Sequence, residues 1–275
     1  MIKRMPRMKS LEPGALVDAL YVALLRRPAD EVGRRQWLEA LTSGSATVED
    51  VVRGFTDSDE FAAKGGRFTN DVSQYGETFD LLRLWVAEHQ GAGWVVDVGA
   101  RGVERSNSYD LLKHFGWRGL LIEANPALVP DIRRGFAGLD FELLNCAVSD
   151  FEGRATLSLG VNDDISSLNP TATEAWGALR GGVEVEVRKL DAILAERQVP
   201  QDFDLLSLDI EGEDIKVLNA LLADSPYRPR WIIIEASYDY SVGSLDDLPF
   251  SDAVKATYAI RAQTPANLIL GRRTA

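Results

Sequence analysis

The amino-acid sequence predicts an α/β fold in which a mostly parallel sheet carries helices on both faces, preceded by a small all-helical module. From about residue 76 onward, short apolar runs alternate with helical stretches, which is typical of parallel strands joined by crossover helices. Before that point, apolar residues recur at helical spacing only. We therefore expect a helical accessory module over residues 12–66 and an α/β domain over residues 76–275, joined by the linker KGGRFTND.

Four positions in the N-terminal part mark the ends of short helices. Asp30 and Thr47 stand where N-caps belong, each directly before a stretch of helical period. Gly44 stands where a helix ends, and Ser58 is expected to cap a last turn. Three or four short helices in about 55 residues make a small bundle with a marginal core.

The composition is that of a soluble globular protein, with 45% apolar and 26% charged residues. The formal net charge of −12 disfavours a nucleic-acid partner, because phosphate binding needs a basic stripe. No apolar run approaches the ~20 residues that span a bilayer, so no transmembrane segment is expected. The single cysteine, Cys146, excludes an intrachain disulfide framework and fits a reducing compartment, which predicts a cytoplasmic protein.

Polar residues end the apolar runs of the predicted sheet. Ligands of an open parallel sheet bind beyond the carboxyl ends of its strands, so these residues mark the place of a site. They are Asp97, Glu123, Asn145, Asp209 and Glu235, in the runs WVVDVG, GLLIEAN, FELLNCAVS, DLLSLDI and WIIIEAS. Ordinary loops would not need a polar residue at the end of each of these strands.

Glu123 stands where a dinucleotide-binding fold places an acidic residue on the ribose hydroxyls. The turn after the first strand reads G-A-R-G-V-E, so the three-glycine spacing that admits a pyrophosphate is missing. A nucleoside-like ligand without phosphate therefore fits better than NAD. S-adenosylmethionine is such a ligand, and Gly99 and Ala100 would permit close backbone approach to its methionine part. The alternative for Glu123 is an exposed acid at a strand end.

Six motifs carry a resemblance to a known family: VVDVGARG, RSNSYDLL, GWRGLLIEANPAL, NCAVSD, ISSL and FDLLSLDIEGEDIKVL. They follow in the order seen in the FkbM family of methyltransferases, which residues 78–272 resemble. The resemblance implies a class I, Rossmann-like, S-adenosylmethionine-dependent fold and O-methyl transfer, often to sugars or polyketide-type natural products. Two departures stand out. The family's G-A-N-x-G turn is one residue short at Gly99–Gly102, and the second Glu of its D-x-E-G-x-E motif is Asp214.

The resemblance also implies a cofactor site after the first three strands. Asp97 would organise the turn and the methionine amino group. The remaining residues are assigned by the part of the cofactor that they would contact: Gly99 and Ala100 the methionine chain, Ser106 and Asn107 its carboxylate, Glu123 and Asn125 the ribose, and Cys146 and Ala147 the adenine. A buried apolar filler is the alternative for Cys146, and it is compatible with a place beside adenine.

Asp209 and Glu211 are the predicted catalytic residues, because a positioned carboxylate can take the proton of the acceptor hydroxyl and the chain has 2 histidines. The alternative for Glu211 and Asp214 is charge stabilisation at a helix N-terminus. Asp209 and Glu235 end neighbouring predicted strands and would together hold Mg²⁺ or Ca²⁺ that orients a sugar diol. The alternative is a pair of strand-end acids without metal, since no third ligand is evident.

The stretch from YVALL to DEF resembles a second family, the phycobilisome-linker-like domain of unknown function 4214, over most of residues 14–65. The resemblance rests on Tyr21, Leu25, Arg27, Asp30, Gly33, Trp37, Leu41, Gly44, Phe55, Ser58 and Phe61. It implies a helical accessory module without chemistry. Core packing and a binding role are both open for the aromatic residues.

These observations predict an S-adenosylmethionine-dependent O-methyltransferase acting on a hydroxyl of a saccharide, glycoconjugate or related natural product. A small-molecule or glycan acceptor is the expected partner, and a homo-oligomer stays open. A non-catalytic binding or assembly protein on a methyltransferase scaffold is the alternative, and a dinucleotide oxidoreductase comes third. In the irregular stretch around ISSL, we expect an acceptor pocket or a lid to be formed by Asp163, Asp164, Ser166 and Ser167, and we expect Trp176 to stack on a sugar face. Ordinary loop chemistry is the alternative for each.

Overall fold

The structure is a computed structural model that describes residues 12–25, 27–63, 72–85, 93–161, 166–171, 177–236 and 242–273. The chain divides into two compact units. The first, the helical unit, comprises Met1–Asp71 and Leu81–Gly91, and the second, the α/β unit, comprises Val72–Asp80 and Ala92–Ala275. The predicted linker, residues 64–71, lies outside the described residues. No helix in the described ranges combines the length and apolar character needed to cross a bilayer.

The described part of the helical unit contains four short helices ahead of the linker region: α1 (Pro13–Leu25), α2 (Glu31–Ser43), α3 (Val48–Thr56) and α4 (Asp59–Ala63). The Asp30 side chain accepts a hydrogen bond from the Gly33 N–H at 2.8 Å and so caps the start of α2. Gly44 ends α2 in the left-handed conformation, with φ of 73°. Both predicted ends of this helix are confirmed.

The next two helices begin at side-chain caps as well. Thr47 and Asp50 form a reciprocal capping box at the start of α3. The Ser58 hydroxyl accepts a hydrogen bond from the Phe61 N–H at 3.1 Å at the start of α4. These caps confirm the helix starts predicted at Thr47 and Ser58, and they satisfy N–H groups that a short helix otherwise leaves open.

Aromatic packing forms the core of the helical unit. The Phe55 ring meets Tyr21 edge to face at 4.8 Å between centroids and stacks on Trp37 at 5.7 Å. Gly33 permits this arrangement, because a Cβ at that position would lie 1.9 Å from the Tyr21 hydroxyl. Tyr21 and Phe61 are buried. The contacts of these aromatic side chains are therefore those of core packing.

The α/β unit contains eleven strands among its described residues: β1 (Trp94–Val98), β2 (Arg118–Glu123), β3 (Phe141–Asn145), β4 (Ala147–Ser149), β5 (Gly153–Gly160), β6 (Ser166–Ser167), β7 (Leu179–Lys189), β8 (Leu205–Leu208), β9 (Trp231–Glu235), β10 (Tyr258–Gln263) and β11 (Asn267–Arg272). The helices that accompany them are α5 (Glu77–Trp85), whose residues fall in both units, α6 (Tyr109–Phe115), α7 (Val129–Gly135), α8 (Leu190–Glu196), α9 (Asp214–Asp224) and α10 (Asp252–Thr257).

Seven strands form the main sheet in the order β10-β11-β9-β8-β1-β2-β3. The five strands from β9 to β3 are parallel, and β11 pairs antiparallel with β9 and with β10. This arrangement confirms the predicted, mostly parallel sheet. The chain runs from β1 to β2 and β3 on one side and continues with β8 on the other, so strand order reverses beside β1.

A second sheet of order β4-β7-β5-β6 begins where the chain leaves the main sheet at Cys146. The run FELLNCAVS is therefore two strands, because β3 pairs with β2 whereas β4 pairs with β7. Cys146 and Ala147 lie buried at this change of partner. The second sheet thus starts directly beside the carboxyl edge of the first.

Candidate functional site

The reversal of strand order places the ends of β1 and β8 side by side, which is where ligands of open α/β sheets bind. Gly99 follows β1 with φ of 88°, and a Cβ there would lie 1.9 Å from the Asp209 carbonyl oxygen. The N–H groups of Gly99 and Ala100 both donate to the Ile122 carbonyl, at 2.9 and 3.1 Å. Glycine is thus required here by the approach of two chain segments.

An open cavity of about 560 Å³, a volume that includes open solvent, lies along this edge. Six residues predicted from the sequence line it: Gly99, Glu123, Cys146, Ala147, Asp209 and Glu211. The other lining residues were not assigned to the cofactor or to catalysis: Val98, Arg101, Ile122, Ala124, Leu128, Val148, Leu157, Ser166, Ser167, Leu168, Ile210 and Glu213. The cavity therefore joins ends of both sheets.

Glu123 is buried at the cavity, with 5% of its surface exposed. Burial raises its pKa to about 7, assisted by the Asp97 charge and opposed by the Asn125 hydrogen bond and by Arg101. The Asn125 N–H donates to Glu123 Oε1 at 2.6 Å, and Asn125 Oδ1 accepts from the Ala127 N–H at 3.0 Å. These bonds fix the turn after β2 and hold the carboxyl group at the cavity.

The wall next to Glu123 is apolar. Cys146, Ala147 and Leu128 line it, and burial raises the pKa of the Cys146 thiol to about 11. The thiol is therefore neutral at physiological pH and acts as apolar surface. An apolar wall beside a buried carboxyl group has the chemistry that suits a purine nucleoside.

Asp97 lies in β1, buried beneath the loop that leads into α6. Burial raises its pKa, and hydrogen bonds from Ser108 and Ser207 oppose that shift. The Ser106 hydroxyl accepts hydrogen bonds from the N–H groups of Ser108 and Tyr109, at 3.1 and 2.9 Å, and so caps the helix start.

Asn107 lies between these two serines and is 7% exposed. Its Nδ2 donates to Ser207 Oγ at 3.2 Å, and its Oδ1 is buried and has no hydrogen-bond partner among the residues that the structure describes. The cavity lining does not include five of the predicted cofactor residues: Asp97, Ala100, Ser106, Asn107 and Asn125. Their cofactor roles stay predictions.

Asp209, Glu211 and Glu235 form a cluster that we call the acidic triad. One carboxylate oxygen from each residue contributes to the cluster, and these three oxygens all lie within 4.8 Å of one another. Burial raises the pKa of Asp209 well above its usual range, and the nearby charges of Glu235, Asp214 and Glu211 add to the effect. Glu211 thus joins the two acids that were predicted to bind metal. The sequence showed no third ligand, because the placement of Glu211 depends on its left-handed backbone, with φ of 53°.

The loop that carries two members of the triad is held from two sides. Asp214 accepts hydrogen bonds from the N–H groups of Ile210 and Gly212, at 2.9 and 3.0 Å. The Ser167 hydroxyl, in β6, donates to the Glu211 carbonyl oxygen at 2.7 Å. Asp214 is buried, which raises its pKa to about 7. Its short side chain thus folds back onto its own loop.

Of the stretch around ISSL, Ser166, Ser167 and Leu168 line the cavity. The predicted acceptor residues Asp163, Asp164 and Trp176 lie outside the described residues, as does Ile165. Glu213 is a lining residue that the sequence left unassigned. Its Oε2 accepts from Ser149 Oγ at 2.6 Å and from Lys216 Nζ at 3.0 Å, which ties the start of α9 to β4.

The model of the methyltransferase FkbM domain matches residues 97–249, more than half of the chain. The chain belongs to the FkbM methyltransferase family. Its FkbM domain contains every strand-end carboxylate described above. The domain of unknown function 4214 matches residues 8–65, so both resemblances are confirmed. A comparison with the curated proteins found no significant match.

Three solved structures are similar to this FkbM chain. A methyltransferase FkbM from Methylobacillus flagellatus shares 16% identity over 93% of this chain and 58% of that chain, with a TM-score of 0.43. The chain thus spans less than two thirds of that relative. A precorrin-6y C5,15-methyltransferase from Geobacter metallireducens shares 15% identity over 71% and 85% of the two chains, with a TM-score of 0.38. A putative RNA methyltransferase from Pyrococcus horikoshii shares 10% over 74% and 89%, with a TM-score of 0.37.

The FkbM family implies S-adenosylmethionine as the methyl donor. The residues present fit this molecule, because a buried carboxyl group and an apolar wall suit its adenosine. The cavity lining carries four carboxyl groups, which suit a ligand with a sulfonium cation: those of Glu123, Asp209, Glu211 and Glu213.

Proposed function

We propose that the chain is an S-adenosylmethionine-dependent O-methyltransferase that acts on a hydroxyl of a saccharide, a glycoconjugate or a related natural product. One observation carries the proposal: the cavity brings two kinds of carboxyl group together. Glu123 stands beside a wall suited to a nucleoside, whereas Asp209 and Glu211 stand at the end of β8, where a proton acceptor would be needed.

Glu123 would hold the ribose, because a carboxylate can accept hydrogen bonds from both ribose hydroxyls. Cys146 and Ala147 would flank the adenine, and the chain turn at Gly99 would face the methionine part. When bound, S-adenosylmethionine supplies a methyl group that its sulfonium activates. The residues of the chain orient the acceptor and remove its proton.

Asp209 or Glu211 would take the proton of the acceptor hydroxyl. A raised carboxyl pKa brings the conjugate base closer in strength to what general-base catalysis needs near neutral pH. Burial and the neighbouring carboxylates provide this shift at Asp209. The proton therefore moves to the acidic triad, while Asp214 and Ser167 keep the loop in place.

The acidic triad also supports a proposal for Mg²⁺ or Ca²⁺. Oxygen ligands bind these ions at about 2.0 to 2.6 Å, so two ligands of one ion lie within about 5 Å of each other. The spacing of 4.8 Å or less within the triad meets this limit. The ion would orient two neighbouring hydroxyls of a sugar acceptor. Calorimetry with MgCl₂ and CaCl₂, and assays with and without EDTA, test this part separately.

The proposal also covers the limits of the two domains and the cellular location of the protein. We assign residues 12–66 to an accessory module and residues 76–275 to the methyltransferase domain. We place the reaction in the cytoplasm, in line with the single cysteine. The accessory module would serve acceptor selection, targeting or oligomerisation.

Calorimetric titration with S-adenosylhomocysteine, with NADH as a matched control, tests the cofactor assignment. Mass spectrometry of a panel of saccharides incubated with protein and S-adenosylmethionine then tests methyl transfer. We expect binding of S-adenosylhomocysteine alone and addition of one methyl group to a hydroxyl. Binding of NADH in its place would contradict the cofactor, and binding without transfer would favour the non-catalytic alternative.

A further inference from the structure

Arg101 is the one cationic side chain among the described residues that line the cavity. Against it stand the carboxyl groups of Glu123, Asp209, Glu211 and Glu213. A ligand that brings a carboxylate of its own into this cavity meets repulsion from all four when they are ionised. Such a ligand group therefore has one favourable electrostatic partner in the lining, the Arg101 guanidinium.

The proposed cofactor carries one such group, the carboxylate of its methionine part. Ser106 and Asn107 were predicted to bind it. The Ser106 hydroxyl accepts two backbone N–H groups at the start of α6, and Asn107 Nδ2 donates to Ser207. The Asn107 atom that lacks a partner is Oδ1, which is an acceptor and suits an ammonium group rather than a carboxylate.

Arg101 stands at the shortened turn. Its N–H donates to the Gly99 carbonyl oxygen at 2.8 Å, so the side chain leaves the backbone directly after the end of β1. Its charge opposes the pKa rise of Glu123, so the guanidinium acts on the electrostatics of the cavity. A guanidinium also offers two parallel donors that match the geometry of a carboxylate, which a lysine cannot.

We propose that Arg101 binds the carboxylate of the methionine part of S-adenosylmethionine. The inference rests on the proposed function and assigns a task to the residue that stands where the family commonly has asparagine. Arg101 is here a cofactor-binding residue.

The test compares two ligands that differ by one carboxylate, S-adenosylhomocysteine and S-adenosylthiopropylamine. Each is titrated calorimetrically into the full chain, the Arg101→Gln and Arg101→Lys variants, and the control Arg105→Gln, which removes a neighbouring guanidinium outside the lining. Loss of a charged hydrogen-bonded pair predicts a roughly 10- to 100-fold weaker affinity of Arg101→Gln for S-adenosylhomocysteine. We expect the affinity of the same variant for S-adenosylthiopropylamine to stay within about twofold, and Arg101→Lys to fall between.

Other outcomes overturn the inference in distinguishable ways. Equal weakening of both ligands by Arg101→Gln, with an unchanged unfolding temperature, would place Arg101 at the nucleoside instead. If Arg101→Gln leaves the affinity for S-adenosylhomocysteine unchanged, Ser106 and Asn107 would again be the expected ligands of the carboxylate. An original chain that binds neither ligand would sink the proposed function together with this inference, whereas the first two outcomes leave the proposed function intact.

Discussion

The helical unit and the α/β unit differ in how they arrange the charged residues of their family motifs. In the helical unit, Arg27 donates to both oxygens of Glu60 at 2.6 and 2.8 Å and to Asp30 at 3.0 Å, and it lies over the Tyr21 ring. Each of these three charged side chains thus has an opposite charge at hydrogen-bond distance. In the α/β unit, the acidic triad collects three like charges at strand ends.

The pKa shifts reflect the same difference. A backbone hydrogen bond from Gly33 and the contact with Arg27 lower the pKa of Asp30, whereas burial raises the pKa values of Glu123, Asp209 and Asp214. Charges that are paired within the protein stabilise the fold without a bound ligand or ion. Unbalanced charge costs folding free energy, and a proton, a metal ion or a ligand must offset it. The comparison therefore supports the ligand roles that we propose for Glu123 and the acidic triad.

The largest effect on the rate of methyl transfer is expected from substitution of Asp209. Replacing it by asparagine removes the proton acceptor and keeps the shape, so methyl transfer should fall by about 10² to 10⁴ while the affinity for S-adenosylhomocysteine persists. Single-turnover assays measure the rate, and Asp30→Asn in the helical unit is the matched control, for which we expect an unchanged rate. An Asp209→Asn variant with full activity would remove both the base and the metal role.

Stability should respond to pH through Glu123. Its folded pKa of about 7 exceeds the ordinary glutamate value of 4.5, so between these values the folded chain retains a proton that the unfolded chain has released. Its contribution to stability is therefore complete at low pH and decreases as pH rises to about 7. Glu123→Gln should gain roughly 3 kcal/mol over the original chain between pH 5 and pH 8. Urea unfolding at several pH values checks this, and a constant difference would contradict it.

Cofactor affinity should also depend on Glu123. Loss of hydrogen bonds to a charged acceptor costs about 1.5 to 3 kcal/mol each, so Glu123→Ala should bind S-adenosylhomocysteine at least roughly tenfold more weakly. Calorimetry on the folded variant measures the change. Glu142→Ala, at an exposed ion pair on β3, serves as the control. Equal affinity of Glu123→Ala and the original chain would end the ribose assignment.

A smaller effect is expected at Ser167, whose hydroxyl holds the Glu211 carbonyl oxygen. One neutral hydrogen bond contributes about 0.5 to 1.5 kcal/mol, so Ser167→Ala should slow methyl transfer by roughly 2- to 12-fold. Ser167→Thr, which keeps the hydroxyl, should recover most of the rate. If alanine and threonine slow the reaction equally, the bond to Glu211 does not position the triad.

The smallest effect on the site is expected from the helical unit. Thr47→Ala removes one half of a capping box and should cost about 1 kcal/mol of stability in this unit. The affinity for S-adenosylhomocysteine should not change, because the Thr47 contacts are local. A drop in affinity beyond twofold would show that the helical unit takes part in the cofactor site.

Local features were predictable from the sequence, and features that depend on distant partners were not. Asp30, Thr47 and Ser58 cap helices through bonds that span three residues, so a short stretch contains the whole signal. The alternation of strands with helices and the polar residues at the strand ends can also be read from the sequence. The division of FELLNCAVS at Cys146 does not, because it depends on which strand each half pairs with.

The cavity residues that the sequence did not predict also depend on partners that are distant in the chain. Leu128 and Leu157 are ordinary apolar residues in sequence, and only the meeting of two sheets makes them part of the cavity wall. Glu211 completes the acidic triad through an unusual backbone angle, which residue type does not reveal. Arg101 lies in the shortened turn, and the role that we propose for it depends on the carboxyl groups that the fold brings to the same cavity.

The buried thiol of Cys146 has a practical consequence for spectroscopy. With a pKa of about 11, only about one molecule in ten thousand carries the reactive thiolate at pH 7. Maleimides and iodoacetamides would therefore leave it untouched under mild conditions. The chain can be treated as free of cysteine for labelling, so a single cysteine introduced on the surface of either unit would accept a fluorophore or spin label selectively, without alteration of the cavity wall.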